Sequence, residues 1–399
     1  MSGHDAADIV ITQDFFPKIG GAHYFLYEVY RRWPAPVLLL TRPYEDSPQE
    51  SAAQAEFDCR SHGSLRIVRE DMAIGEIDFL KSSSRRRIGA VVRHVLTLAA
   101  GRPVTLHCLR AFPEGLVGLL SKLRRPLSTR LVVYAHGEEV LVARSSRQLK
   151  FIASLVYRFA DLVIANSRST EALVRGLAPR AVVACLHPGV DAAAYVCPRN
   201  EIEAFRAQWG WPPETIVAST ISRMETRKNQ SAVIAAVAAL RKEEGLPLAY
   251  VCAGDGEERP RLVELATALG VAPWVRFPGA VSEKEKVLTF AASDIHVMPS
   301  IRVGEMIEGF GIVFLEAAAA GVPSICGNIG GQPEAVLDGE TGLVVDGTDP
   351  VSVRRAILRL AADAPMRARM GQAAQARARE LDWNKVAAAV SSAVARGAG

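Results

Sequence analysis

Cysteine is scarce: six residues in 399, at Cys59, Cys108, Cys185, Cys197, Cys252 and Cys326. None falls in the short paired spacings that zinc or redox motifs require, so they read as buried, reduced thiols. Long apolar runs are also lacking. The longest, such as Val233 to Leu240, fall far short of the roughly 18–20 residues that span a bilayer, which excludes a transmembrane helix. The stretch Met1 to Asp5 has neither a basic n-region nor an apolar core ahead of a cleavage site, so the expected location is cytoplasmic. No helix-turn-helix, zinc-finger or ribonucleoprotein signature is present, and no aromatics interleave with the arginines, so nucleic acid is not an expected partner. What remains is 43.0 kDa with 49% hydrophobic and 23% charged residues, a globular composition with length for two or three domains.

Charge is unevenly spread. Residues 1–200 carry 26 Lys and Arg against 19 Asp and Glu, a surplus of seven, while residues 201–399 carry 21 against 24, a deficit of three. The surplus gathers at Arg85-Arg86-Arg87, Arg93, Arg102, Lys122, Arg124, Arg125 and Arg130. Such a face suits an anionic membrane surface or phosphorylated acceptor, although an ordinary solvated face has the same composition.

Short β-branched runs alternate with amphipathic helical stretches, the pattern of βαβ units. In the first half, Ile9–Thr12, Val37–Thr41, Val104–His107, Leu131–Ala135, Leu162–Ala165 and Val182–Leu186 read as strands, with helices such as Ala22–Arg32 and Gln148–Phe159 between them. Periodicity fades over His187 to Asn200. It then restarts with strands at Ile216–Ser219, Leu248–Ala253, Val275–Pro278, Ile295–Pro299, Ser324–Cys326 and Leu343–Val345. The chain is therefore expected to be α/β, with two Rossmann-like, doubly wound parallel sheets: residues 1–187, a linker over 188–200, a second domain over 201–380, and a C-terminal helix over 381–399 crossing back to the first. Parallel sheets bind ligands at the carboxyl ends of their strands, so an interdomain cleft is the expected active site.

The richest stretch is Glu308-Gly309-Phe310-Gly311-Ile312-Val313-Phe314-Leu315-Glu316. Gly309 and Gly311 bracket a tight loop, and Ile312 onward has the apolar content of a helix ending at Gly321. Such a loop delivers amides and a helix N-terminus to one point, a site for a diphosphate. Glu308, the better exposed acid on this reading, and Glu316, one turn into the helix among apolar neighbours, form a carboxylate pair able to bind sugar and ribose hydroxyls.

Glu-x7-Glu around Gly-Phe-Gly resembles the signature of retaining glycosyltransferases of the GT-B fold, family four. Arg223 and Lys228, a short loop after the first strand of the second half, resemble that family's basic pair. Gly20-Gly21 after Phe16-Pro17-Lys18-Ile19, and His136-Gly137-Glu138-Glu139 after Leu131–Ala135, resemble its glycine loop and His-Gly-x-Glu segment. Asn166-Ser167, Pro188-Gly189-Val190-Asp191, Gly254-Asp255-Gly256 and Gly330-Gly331-Gln332-Pro333-Glu334 follow in family order. Taken singly, each has an ordinary reading: a βα turn for Gly20-Gly21, a core histidine for His136, a solvated loop for Arg223 and Lys228. The stretch Ile301 to Ile307, with its own Glu305, is longer than the loop in many family members. That loop and the phrase Gly311 to Ala319 look most like those of bacterial mannosyltransferases acting on phosphatidylinositol mannosides.

The resemblance implies a nucleotide-sugar donor, with a lean to GDP-mannose over a UDP-hexose. Base and ribose would lie near Gly254, Val281 and Glu316, and the diphosphate by Arg223, Lys228 and the amides of Phe310, Gly311, Ile312 and Val313. Glu308 would hold donor-sugar hydroxyls, His136 would stand beside the sugar, and Gly20 and Gly21 near phosphates and acceptor. It implies no covalent nucleophile, no tightly bound cofactor and no required metal, in keeping with the missing Asp-x-Asp pair. The acceptor would be a glycan, glycolipid or lipid-linked sugar; a soluble small acceptor, or a silent nucleotide-sugar sensor, are the alternatives.

Overall fold

The computed structural model describes residues 7–17, 20–44, 47–70 and 82–396. The chain forms two compact units, Met1–His187 together with Trp383–Gly399, and Pro188–Asp382.

The first unit holds a parallel sheet of β1 (Ala7–Ile11), β2 (Val37–Thr41), β3 (Leu65–Arg69), β4 (Val104–Cys108), β5 (Thr129–Ala135), β6 (Leu162–Ala165) and β7 (Val183–Cys185). Their order is β3-β2-β1-β4-β5-β6-β7. Ile9 lies opposite Leu38 on one side and Leu106 on the other. Helices cover both faces, which is why β4 and β5 read as continuous apolar runs rather than alternating ones; all five residues of β4 are buried. The unforeseen strand is β3. It is the sheet edge, and Arg66 and Arg69 interrupt its apolar residues, leaving Leu65 as its one buried side chain.

The helix Trp383–Arg396 belongs to this first unit. Trp383 is fully buried and stands edge-on to Tyr24 at 5.9 Å and Phe25 at 5.8 Å. Val386, Val390 and Val394 continue its stripe at four-residue spacing, all buried.

The second unit repeats the design with β8 (Ile216–Ile221), β9 (Leu248–Ala253), β10 (Val275–Gly279), β11 (Ile295–Met298), β12 (Ser324–Gly327) and β13 (Gly342–Val345), in the order β10-β9-β8-β11-β12-β13. The helix Ile312–Ala319 is buried through Phe314, Leu315 and three alanines, and Gly321, at φ +76°, follows its end as a left-handed C′ residue.

Two expectations need correction. The stretch 188–200 is folded into the second unit rather than being a free linker. The Val190 amide donates to Leu381 O at 2.9 Å, Ala192–Tyr195 forms a 3₁₀ turn, and buried Tyr195 packs against Phe290. Two anchoring side chains suffice there, without any periodicity to betray them. The cysteines form no disulfide, but are buried only at Cys108, Cys252 and Cys326; Cys59 is exposed, at the end of a helix that buries no residue.

Candidate active site

In the second sheet the chain order reverses between β8 and β11, and the crevice beyond the carboxyl ends of such neighbouring strands is where doubly wound sheets bind ligands. The loops leaving these two strands carry the charged residues. After β8, a 3₁₀ turn over Thr226–Lys228 ends at Asn229, whose left-handed backbone (φ +60°) reverses the chain into the helix Gln230–Glu243. Asn229 Nδ2 donates to the carbonyls of Pro299 at 3.2 Å and Gly347 at 2.7 Å, tying this turn to the loop after β11.

Across that junction Lys228 Nζ donates to Glu308 Oε2, and Arg227 Nη1 donates to the same oxygen at 3.1 Å. Arg227 Nε also donates to Glu225 Oε2 at 2.9 Å, and Arg223 pairs with Glu225 Oε1 at 2.8 Å. Gly330 (φ +68°) backs Glu308 closely: a β-carbon there would stand 2.1 Å from Glu308 O, which accepts from the Gly331 amide at 3.0 Å. Burial alone would raise the Glu308 pKa, but Lys228 and Arg227 outweigh it and hold the carboxyl below its ordinary range. The five charges leave one surplus cation, close in sequence to a helix N-terminus worth about half a charge. That balance suits a diphosphate.

The structure rearranges the expected roles. Glu308 is, as expected, the better exposed of the two acids, but only just: its side chain is 13% exposed against 10% for Glu316, because two cations pack on it. Arg223, expected with Lys228 at the diphosphate, is 71% exposed and bonds only to Glu225 among these groups, while Arg227, not singled out from the sequence, is buried against Glu308. Its signal was adjacency to Lys228. Glu316 has a partner within the chain: Lys286 Nζ donates to its Oε1 at 2.7 Å. Burial opposes the Lys286 charge, but Glu316 and Glu283 more than compensate and raise its pKa. Glu305 pairs with Arg302 at 3.2 Å.

The remaining residues expected near the donor surround these pairs. Gly311 is left-handed at φ +89° and caps the helix Ile312–Ala319 without a side-chain bond, so the amides of Ile312 and Val313 open that helix; Phe310 beside them is buried. Gly254 (φ +121°) ends β9, where a β-carbon would meet Ser222 O at 2.0 Å; only glycine lets this loop lie on the loop carrying Arg223. Val281 is half-buried two residues beyond β10.

The first unit gathers its polar residues at the same end of its sheet. Gly20 is the extended N-cap of the helix Gly21–Tyr30 and makes no side-chain cap, while Lys18 and Ile19 lie outside the described residues. His23, in that helix's first turn, has both ring nitrogens buried and without a hydrogen-bond partner. His136, just beyond β5, has Nε2 in the same condition. Burial, with help from Arg110, pulls the His23 pKa down to about 4; burial, His23 and Arg110 pull that of His136 to about 3. Both are neutral imidazoles at pH 7. Sequence reading found His136 and missed His23, which no motif marked.

The Glycosyltransferase Family 4 model matches residues 19–194 and the Glycosyl transferases group 1 model residues 201–377. The GDP-mannose-dependent alpha-(1-6)-phosphatidylinositol monomannoside mannosyltransferase of Mycolicibacterium smegmatis is 32% identical over 377 residues, 92% of either chain. The chain is a group 1, family 4 glycosyltransferase. A D-inositol 3-phosphate glycosyltransferase of Streptomyces avermitilis is 36% identical over 242 residues, covering 58% of this chain and 51% of that one. Among solved structures, Anabaena HepE in complex with UDP matches at TM-score 0.80 and 20% identity, over 98% of this chain and all of that one. Sucrose-phosphate synthase from Thermosynechococcus elongatus matches at 0.76 and 21%, over 98% of each. These likenesses place the fold, GT-B, and the family makes the protein a transferase using a nucleotide sugar.

Proposed function

We propose that this glycosyltransferase moves a hexose, mannose from GDP-mannose by preference over a UDP-hexose, to a glycan, glycolipid or lipid-linked acceptor with retention of anomeric configuration. The observation that supports this most is the Lys228–Glu308–Arg227 junction at the switch point of the second sheet. Charge developing on a leaving diphosphate meets cations already fixed in place, and such preorganised electrostatics is usually the largest catalytic term. In this reading Arg223, Lys228 and the amides of Phe310 to Val313 hold the diphosphate, while Glu308 holds the sugar. Glu316, Gly254 and Val281 take the ribose and base. The first unit receives the acceptor, with His136, Gly20 and Gly21 at its ligand-facing end. Same-face attack, with the leaving phosphate accepting the acceptor's proton, requires no protein nucleophile. The cations make a divalent metal unnecessary.

The lean to GDP-mannose follows the relative matched over 92% of both chains. A thermal-shift panel of GDP-, UDP- and ADP-sugars tests it, since a ligand binding only the folded state stabilises by RT ln(1 + [L]/Kd). The largest shift is expected with GDP-mannose; a shift with UDP-glucose alone would reassign the donor. No helix among the described residues is long and apolar enough to cross a membrane. A peripheral contact of the cytoplasmic protein with an anionic leaflet is supported by Arg85, Arg86 and Arg87, all exposed on the helix Ser82–Leu98. Co-sedimentation with anionic vesicles at low salt, lost at high salt, is the expected result. Indifference to such vesicles at low salt would favour a soluble acceptor.

A further inference from the structure

The loop after β8 is fixed in its backbone and open at one side chain. The Arg223 carbonyl accepts from Gln230 Nε2 at 3.0 Å, the Met224 amide donates to Asp255 O at 2.8 Å, and Met224 O accepts from the Glu258 amide at 3.1 Å. A β-carbon on Gly256 would stand 2.4 Å from Met224 O, so the loops after β8 and β9 close on each other with no room to slide. Within this frame Lys228 and Arg227 are buried and the Glu225 side chain is 21% exposed, against 71% for Arg223. Arg223 is the cation that can move.

Glu225 joins the buried cations to the exposed one. Its Oε2 accepts from Arg227 Nε at 2.9 Å, Arg227 is itself held on Glu308, and the Glu225 carbonyl accepts from the Lys228 amide at 2.9 Å. The carboxylate is thus braced from behind. Its Oε1 stands 2.8 Å from Arg223 Nη1. A guanidinium stays charged at any ordinary pH, so this contact is a permanent ion pair. With one partner so exposed it is a weak pair, and the oxygen it leaves behind is open enough to be rehydrated.

We propose that Glu225 is a positioning residue that parks Arg223 and sets how tightly the site holds the nucleoside diphosphate product. The proposal rests on the reading above in which Arg223 meets the diphosphate. A diphosphate takes Arg223 only by displacing it from Glu225 Oε1, so the strength of that pair is lost from the affinity of every diphosphate ligand. Donor and product lose it alike, which leaves the barrier from bound donor unchanged. The product also loses more, because the freed diphosphate carries more negative charge than the esterified one and Glu225 repels it at short range. The consequence is faster release of product from a site whose buried cations would otherwise retain it.

Isothermal titration of the full chain with GDP, and with UDP in parallel, reads the effect. Glu225→Gln removes the charge and keeps the size; it should tighten binding roughly two- to fivefold, the strength of one partly exposed ion pair. The Ki of the same nucleotide as product inhibitor should fall in step. Glu225→Asp, charged but too short to reach both guanidiniums, should lie between, and it carries the test if the glutamine variant does not fold. Arg223→Ala alone should weaken binding, and in that background Glu225→Gln should lose most of its effect, the coupling expected of two groups in direct contact. Weaker binding in Arg223→Ala together with unchanged or weaker binding in the Glu225 variants would overturn the proposal and leave the diphosphate assignment standing. So would a gain from Glu225→Gln that persists in full without Arg223. Unchanged binding in Arg223→Ala would overturn that assignment and the proposal together.

Discussion

The two units share the order of their first six strands, yet the carboxyl ends of their sheets differ in chemistry. In the second unit the polar groups at the switch point are paired in advance: Glu308 with Lys228 and Arg227, Glu316 with Lys286. In the first, beside the ion pairs of Asp14 with Arg42 and of Glu114 with Arg110, two imidazoles stand neutral and idle: His23 and His136 present three buried ring nitrogens without partners. Topology therefore decides where a site lies and loop residues decide what it does. Paired charges are ready for a charged ligand, because the ion pairs have already desolvated the cations that will meet it. Neutral imidazoles able to donate or accept suit hydroxyl groups instead.

The sharpest break in this comparison comes from the second unit. Lys228→Ala is expected to cut kcat by roughly 10²–10³-fold, the usual effect of losing one donor to a developing charge. It should also destabilise by about 3–5 kcal/mol, because Glu308 is left buried with a weakened partner set. Arg223→Ala should cut kcat without moving Tm, since that side chain is 71% exposed. Arg227→Ala should lower both. Full activity in Lys228→Ala would remove the diphosphate assignment altogether. Glu308→Gln and Glu316→Gln divide the roles further: the first is expected to lower kcat, the second to raise the donor KM. Equal losses in both parameters for both variants would mean the two carboxylates are misassigned.

A smaller effect separates the first unit. The folded pKa of His23, about 4, lies below its ordinary 6.5, so the unfolded chain takes up a proton that the folded one refuses as pH falls through that window. Stability from the neutral His23 is complete above pH 6.5 and is lost on the way down to 4, at up to about 1.4 kcal/mol per pH unit. Buried Glu114 and Glu139, whose pKa values burial raises, work in the opposite direction. The comparison must therefore be wild type against His23→Phe. Denaturant unfolding should show the variant gaining on the wild type as pH drops from 6.5 to 4; a difference independent of pH would mean that His23 titrates normally.

Much of the fold was legible because buried parallel strands announce themselves as apolar runs; all six strands of the second unit were anticipated. The edge strand Leu65–Arg69 was not, since an edge needs few buried side chains, and neither was the packing of Pro188 to Tyr195, which depends on two contacts distant in sequence. At the site, glycine spacing marked the loops, and Lys228 and Glu308, singled out separately in the sequence, meet in an ion pair that no motif foretold. Arg227 and Lys286 escaped because a long side chain's partner is set by the loop that crosses it, and those crossings, 81 and 30 residues away, are invisible in a linear reading. The same holds for Arg223, whose position in the motif says nothing of its exposure.

The central claim is that cations fixed by the fold drive retaining transfer of a hexose from a nucleotide sugar. Labelled mannose transfer from GDP-mannose to a phosphatidylinositol monomannoside, run in excess EDTA with the new anomeric linkage read by NMR, tests it most directly. The account predicts an α-linked product at an undiminished rate. A β linkage, or activity abolished by EDTA and restored by Mg²⁺ or Mn²⁺, would contradict it.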